Sequence, residues 1–269
     1  MVAQGAVEDK AEGVTAGGIR AVVLAFRVLA FLTDSGGERG VTEIAQALGL
    51  TKASVYRHLR TLMALGYIDQ NTKTAKYHVG MGLYLLGRAA GEQIDFLAEA
   101  KRVMERLRDD TGHTVTLGQP VEDGILIVEL MRANAPFEIG TRPGYIFPYH
   151  ATAQGKLALA FGPVARLEKV LAGPLEKLTE HTITDPVELR SQVVLARRRG
   201  WAIAPEESLP GITALAAPIF DHDGNLAVTI TVIGSVQHIG IAPAESLIDE
   251  VVRAAEQVSR ALGYRETKT

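Results

Sequence analysis

The chain has 269 residues, 47% hydrophobic and 22% charged, with a formal net charge of −3 and no cysteine. That length predicts two domains, and the lack of cysteine excludes disulfides and thiolate metal sites and fits a reducing cytoplasm. No run approaches the ~18 uninterrupted apolar residues of a membrane span and no signal-peptide pattern opens the chain, so a membrane partner is not expected.

The acidic balance is unevenly divided. Residues 19–88 carry nine Lys and Arg against four Asp and Glu, whereas residues 89–269 carry 18 against 24. Affinity for a nucleic acid is therefore expected in the first part of the chain.

Residues 1–18 are rich in Gly and Ala, lack apolar periodicity and read as a mobile tail. Ile19 to Thr33 reads as a helix with Val22, Val23, Phe26, Leu29 and Ala30 as its apolar positions, ended by Asp34-Ser35-Gly36-Gly37. A second helix follows, with Ile44, Ala45 and Leu48 on one face and Thr42 as N-cap. Gly49 stands where a left-handed residue ends a helix at little cost. Thr51 then caps a third helix, whose buried stripe is Val55, Leu59, Leu62 and Met63. Outside that stripe lie Lys52, Ala53, Ser54, Tyr56, Arg57 and Arg60. Two short helices joined at a glycine are the sequence form of a helix-turn-helix, whose second helix enters a DNA major groove with its first turn against base edges.

Leu65-Gly66 stops that helix. Tyr67 to Asp69 and Ala75 to Val79 read as two strands around a polar turn, 70–74. Such a hairpin, with Lys73 and Lys76 near its tip, is what a winged helix presents to phosphates. Gly80 to Gly91 and Gln93 to Asp110 are amphipathic helices, the latter burying Ile94, Leu97, Val103, Met104 and Leu107. Next come a hairpin, His113–Leu117 with Ile125–Met131, a strand near Phe137–Gly140 and a Pro/Gly-rich loop, Arg142–Pro148. Helices follow at about Thr152–Phe161, Pro163–Leu171 and Pro186–Arg199. Strands at Trp201–Ala204, Gly211–Phe220 and Leu226–Ile233 precede a closing helix, Pro243–Leu262. Strand runs broken by helices predict an α+β unit with an antiparallel sheet. The expected organisation is a tail (1–18), a winged helix-turn-helix domain (19–80), linker helices (81–110) and a second domain (111–269).

Four segments carry a resemblance to a known family: Gly49-Leu50-Thr51-Lys52-Ala53-Ser54-Val55-Tyr56-Arg57; Tyr77-His78-Val79-Gly80; Pro148-Tyr149-His150-Ala151-Thr152-Ala153-Gln154-Gly155-Lys156; and Gly200-Trp201-Ala202-Ile203-Ala204-Pro205-Glu206-Glu207 with Gly211 and Ala216 to Ile219. Over Ile19 to Leu262 the chain resembles transcriptional regulators of the isocitrate lyase regulator (IclR) family. The resemblance implies a winged helix, a linker helix and a C-terminal effector-binding domain similar to GAF and PAS sensors. It also implies dimers or tetramers, and repression or activation. Pro205 and Pro210 depart from the family pattern.

The residues expected to meet DNA are Thr51, Lys52, Ala53, Ser54, Tyr56, Arg57 and Arg60, with Lys73 and Lys76 on the wing. Arg57 is suited to a guanine edge or a phosphate, and Ser54 and Tyr56 to phosphate. Similarity to the family places Ala153, Gln154 and Gly155 on one wall of an effector pocket, with Phe137, Ile212, Ala214 and Thr231 at matching positions. By strand alternation Ile212 and Ala214 share a face, as do Thr229 and Thr231, and two interior hydroxyls need partners. Small residues at Ala153 and Ala214 beside Phe137 leave room for an organic acid or a small aromatic effector.

Other signals are bland. Gln154-Gly155-Lys156 is not a phosphate loop, because Leu157 stands where Ser or Thr would hold magnesium. The seven histidines show no ligand spacing, so neither a metal nor another cofactor is expected. Glu206-Glu207 reads as a solvated or capping pair, and Arg197-Arg198-Arg199 as cations at a helix end. With no nucleophile–base constellation, the chain reads as a regulator rather than an enzyme. It is expected to be a cytoplasmic homodimer, or a dimer of dimers, on a palindromic operator in double-stranded DNA, modulated by a small-molecule effector.

Overall fold

The structure is a computed structural model that describes residues 19–92, 95–133 and 141–265. The expected tail (1–18), Ile94 and the strand at 137–140 lie outside the described residues. The chain divides into two compact units, Met1–Ile94 and Asp95–Thr269, each with a hydrophobic core of its own. Among the described residues no helix is long and apolar enough to cross a membrane.

The first unit runs α1 (Arg20–Asp34), α2 (Val41–Leu48), α3 (Lys52–Ala64), β1 (Ile68–Gln70), β2 (Tyr77–Val79) and α4 (Met81–Glu92). Its core gathers Val28, Leu29 and Leu32 from α1, Ile44, Ala45 and Leu48 from α2, and Val55, Leu59 and Leu62 from α3, closed by Ile68 and Tyr77. The α1 stripe is thus one turn later than its apolar positions suggest, and Val22 and Phe26 are exposed. Met63 is also exposed, outside the α3 stripe. Thr42 does not cap α2. The cap is Gly40, whose amide donates to Glu43 Oε2 at 2.7 Å, the half of a capping box that the residue three positions on supplies.

The second unit runs α5 (Asp95–Thr111), β3 (Thr114–Val121), β4 (Gly124–Met131), β5 (Ile146–Phe147), a single 3-10 turn (Tyr149–Ala151), α6 (Ala153–Phe161), α7 (Val164–Ala172), α8 (Pro186–Arg199), β6 (Ala202–Pro205), β7 (Ile212–Phe220), β8 (Leu226–Ser235) and α9 (Glu245–Ala261). Its six strands form one antiparallel sheet in the order β5-β4-β3-β8-β7-β6. Alternation sorts the side chains. Leu215, Ala217, Ile230 and Val232 pack with α5 and α9 on one face, and Ala204, Ala216, Ile125 and Ile127 with α6 and α8 on the other. The sheet is therefore covered on both faces, and the face under α6 holds the site described next.

Candidate functional site

In the first unit, two local devices aim α3 outward. Gly49 takes φ +64°, which turns the chain sharply after α2, and Thr51 Oγ1 accepts the Ser54 amide at 3.2 Å. With Val55, Leu59 and Leu62 buried, the helix can present only its other side. Thr51, Lys52, Ala53, Tyr56, Arg57 and Arg60 are exposed, and Ser54 is half-buried. His58, beside them, is pushed below its usual pKa by burial and then by the Arg57 charge, which favours its neutral form.

The wing is pinned rather than loose. Its register pairs Ile68 with Val79 and Gln70 with Tyr77. Ala75 takes φ +55° and belongs to the turn, so the second strand starts two residues later than its sequence suggests. Asn71 Oδ1 accepts the amides of Lys73 and Thr74. Its Nδ2 donates to Glu38 Oε1 at 2.5 Å, and Thr74 Oγ1 donates to Glu38 Oε2 at 2.7 Å. These two bonds hold the Glu38 carboxyl below its usual pKa. Lys73 is exposed, and Lys76 lies 3.8 Å from Glu43 Oε1.

In the second unit a small hollow lies between the N-terminus of α6 and the sheet. Ala153, Gln154, Ile212, Ala214 and Thr231 line it, together with Thr141, Phe147, Ser208, Leu209 and Ile233. It leaves ≈ 40 Å³ of free space, room for about one or two waters. Of the other three residues the sequence singled out, two described ones, Gly155 and Thr229, stand outside its lining. Phe137 is outside the described residues. A Cβ on Gly155 would lie 1.9 Å from the Tyr149 carbonyl oxygen, so this glycine serves the close approach of α6 to the 3-10 turn. Thr229 Oγ1 donates to the Gly118 carbonyl at 3.1 Å and is satisfied there.

The polar groups around the hollow are incompletely paired. Of the three amides in the first turn of α6 that have no helical acceptor, that of Gly155 goes to Thr152 Oγ1 at 2.9 Å, leaving those of Ala153 and Gln154. The hydroxyls of Thr141 and Thr231 are buried without a partner. Such groups cost about 1–3 kcal/mol each unless something bonds to them. Thr141 was not visible in the sequence as a site residue, because nothing local marks a lone threonine at the head of a Pro/Gly-rich loop.

Behind the hollow sits a buried ion pair. Lys156 Nζ donates to Glu207 Oε1 at 2.5 Å and to the Ile203 carbonyl at 2.9 Å, with both side chains about 95% or more buried. Burial pushes the Glu207 carboxyl up and the Lys156 ammonium down in pKa, each partly offset by the other's charge. Glu207 is therefore neither solvated nor a cap. Its neighbour Glu206 is a cap: at φ +55° its amide donates to the Ile212 carbonyl, and its Oε1 accepts the Gly211 amide at 2.6 Å. Thr179 and Thr182 donate to the carbonyls of Glu206 and Glu207. The bonds to Glu206, Glu207 and Gly211 hold the loop that carries Ser208 and Leu209 along the hollow.

Comparison with known proteins matches both parts of the chain to family models. Residues 21–72 match the model of the IclR helix-turn-helix domain, and residues 89–260 that of the bacterial transcriptional regulator IclR C-terminal domain. The chain is 33% identical to the HTH-type transcriptional regulator BhcR of Paracoccus denitrificans, covering 93% of this chain and 90% of that protein. It is 35% identical to the glycerol operon regulatory protein of Streptomyces griseus, covering 85% and 91%. A crystal structure of an IclR homologue from Microbacterium hydrocarbonoxydans, complexed with 4-hydroxybenzoate, shares the fold with a TM-score of 0.82 at 22% identity, over 90% of this chain and 98% of that one.

Proposed function

Because this chain belongs to the IclR family of transcriptional regulators, with both of its units matched, we propose that α3 reads an operator and that a small organic acid or aromatic in the hollow modulates the reading. The family assignment makes it a DNA-binding regulator with a C-terminal effector-binding domain, not an enzyme. The residue roles, assembly and ligand class are our reading.

The first turn of α3, with Lys52 and Ala53, meets base edges, Ser54 bonds to phosphate, and Arg57 forks onto a guanine or a phosphate. Tyr56, Arg60 and Thr51 contact backbone phosphates, and Lys73 and Lys76 extend that anchoring from the wing. A dimer places two such helices about 34 Å apart in successive major grooves of a palindromic site. Assembly as a dimer or a dimer of dimers, working in the cytoplasm, fits that geometry.

One observation supports the ligand class most strongly. The amides of Ala153 and Gln154 at the start of α6 lie beside two unpartnered hydroxyls, Thr141 and Thr231, in a lining that adds Ser208 and the Gln154 amide to its apolar side chains. Backbone N–H groups at a helix N-terminus favour a carboxylate, and the hydroxyls bond to a second polar group. Ligand sites usually hold about 300–1,000 Å³, so the hollow must widen to accept a ring. The loop at 206–211 is the part tied down by discrete polar bonds, and a ligand that displaces it has the differential affinity that regulation requires. The same fold holds an aromatic acid in the Microbacterium relative.

The test is a gel shift on the DNA upstream of the gene, with and without a panel of carboxylic acids, beside thermal unfolding with the same panel. Arg57→Ala is expected to weaken operator binding at least a hundredfold with oligomer and unfolding temperature unchanged. Unaltered affinity would overturn the α3 assignment, and the absence of any shift with every acid would overturn the ligand class.

A further inference from the structure

At the open edge of the sheet, between the ends of α8 and α9, is a groove of ≈ 860 Å³ that belongs to neither site above. Its walls are the ends of α8 and α9, and its floor is the last part of β7. Five arginines line it, Arg197, Arg198, Arg199, Arg260 and Arg265, against one carboxylate, Glu256, which stands 3.8 Å from Arg260. The rings of Phe161, Phe220 and Tyr264 run along it in a chain, with centroids 5.2 and 5.3 Å apart.

The arginines are short of anions. Arg198 and Arg265 make no ion pair among the described residues. Arg197 is spent on the Ala160 carbonyl and the Phe161 ring. Arg199 lies 3.8 Å over the Trp201 ring, and its Nε is buried without a partner. Burial first, and the adjacent Arg198 charge second, lower its pKa. The carbonyls at the end of α8 offset part of this repulsion, but only part of an elementary charge.

The floor selects what can enter. β6 pairs with β7 only as far as Ala216, so the edge beyond is open. Counting by twos from Ile212, whose carbonyl faces β6, the next outward amides belong to positions 218 and 220. Position 218 is proline and has no N–H, and Phe220 N already donates to Ser259 Oγ at 3.0 Å. An added peptide strand finds no donors there. A ligand that offers charge and a ring, rather than a backbone, is what remains.

We propose that this groove binds a phosphorylated flat ring of nucleotide type, with its phosphates forked by Arg198 and Arg199 and its ring laid against Tyr264 and Phe220. A free nucleotide and the nucleotide end of a coenzyme A thioester share that chemistry. Its size and its several cations set it apart from the small hollow under α6.

Titration calorimetry of the full chain with ADP, coenzyme A and inorganic phosphate tests this. Both ADP and coenzyme A are expected to bind, with phosphate at least tenfold weaker. A preference for ADP identifies a free nucleotide, and a preference for coenzyme A the thioester. Arg198→Glu, at an exposed position, should weaken either ligand at least tenfold, and Tyr264→Ala several-fold. Ala214→Leu, in the hollow, should leave both unchanged, which separates this site from the effector reading. No heat with either ligand overturns the proposal, as does unaltered binding by Arg198→Glu. A change in sedimentation of Arg198→Glu without any nucleotide effect also overturns it, and assigns the groove to a second copy of the chain.

Discussion

The two units build their sites in opposite ways. In the first, every group offered to a partner comes from one contiguous stretch, 51 to 76, and the turn of the wing is tied down by Asn71 and Thr74 bonding to Glu38 and to the turn's own amides. In the second, the hollow is assembled from Thr141, Gln154, Ala214 and Thr231, far apart in sequence, and it leaves buried hydroxyls unpaired. A surface that reads DNA must be rigid before its partner arrives, because phosphate contacts reward charges already in place. A sensor gains from incomplete bonding, since the ligand then supplies what the protein lacks. The difference makes distinct predictions for the two halves.

The largest expected effect breaks the second unit alone. Glu207→Ala leaves the Lys156 ammonium buried and uncompensated, at a cost of about 3–5 kcal/mol. Calorimetry should show one unfolding transition fall by many degrees while operator binding by the first unit persists at low temperature. An equal loss in both units would erase the distinction drawn here.

In the first unit the matching test is smaller. Thr51→Ala removes the bond to the Ser54 amide and should cost about 1 kcal/mol, with operator affinity falling further because the first turn of α3 frays. If stability falls and affinity does not, that turn is not at the DNA.

Thr231→Val sharpens the contrast, because stability and function should move in opposite directions. Removing an unpaired buried hydroxyl at constant shape is expected to leave the fold as stable or up to about 1 kcal/mol more so, and to weaken the acid ligand about tenfold. A loss of stability would show that the hydroxyl is paired after all.

The smallest effect concerns pH. Burial, and then His238, push His113 below its usual pKa, so the folded state resists its protonation. Its neutral form contributes stability in full above the unfolded value of about 6.5, and this is lost as pH falls below it. The second unit should therefore lose a few degrees of melting temperature between pH 7 and 5.5, and His113→Asn should flatten that slope. A slope that survives the substitution assigns it to other groups.

The first unit was legible because its signals are local. Gly49, the Thr51 cap and the Val55–Leu59–Leu62 stripe each act within one or two turns, and the structure places all of them as read. Most misreadings there were of degree, since Met63, Val22 and Phe26 are apolar side chains left on the surface, but the α2 cap is Gly40 and not Thr42. In the second unit the elements were legible from alternation and turns, and five of the eight expected pocket residues line the hollow. What could not be read was pairing across distance. Nothing near Glu207 announces Lys156, 51 residues earlier, so an adjacent glutamate pair looked like a solvated loop. Thr229 and Thr231 look identical in sequence, and only the Gly118 carbonyl separates the satisfied hydroxyl from the free one.

The near-closed state of the hollow has a quantitative consequence. If most molecules hold the 206–211 loop down, an effector sees only the open fraction, and its apparent dissociation constant is the intrinsic one divided by that fraction. Each ~1.4 kcal/mol of loop anchoring then raises the concentration for half-response tenfold without altering one ligand contact. Thr179 and Thr182, which touch the loop rather than the hollow, would thus set the dose at which the regulator responds. Their substitution offers a way to retune its threshold while keeping its choice of ligand.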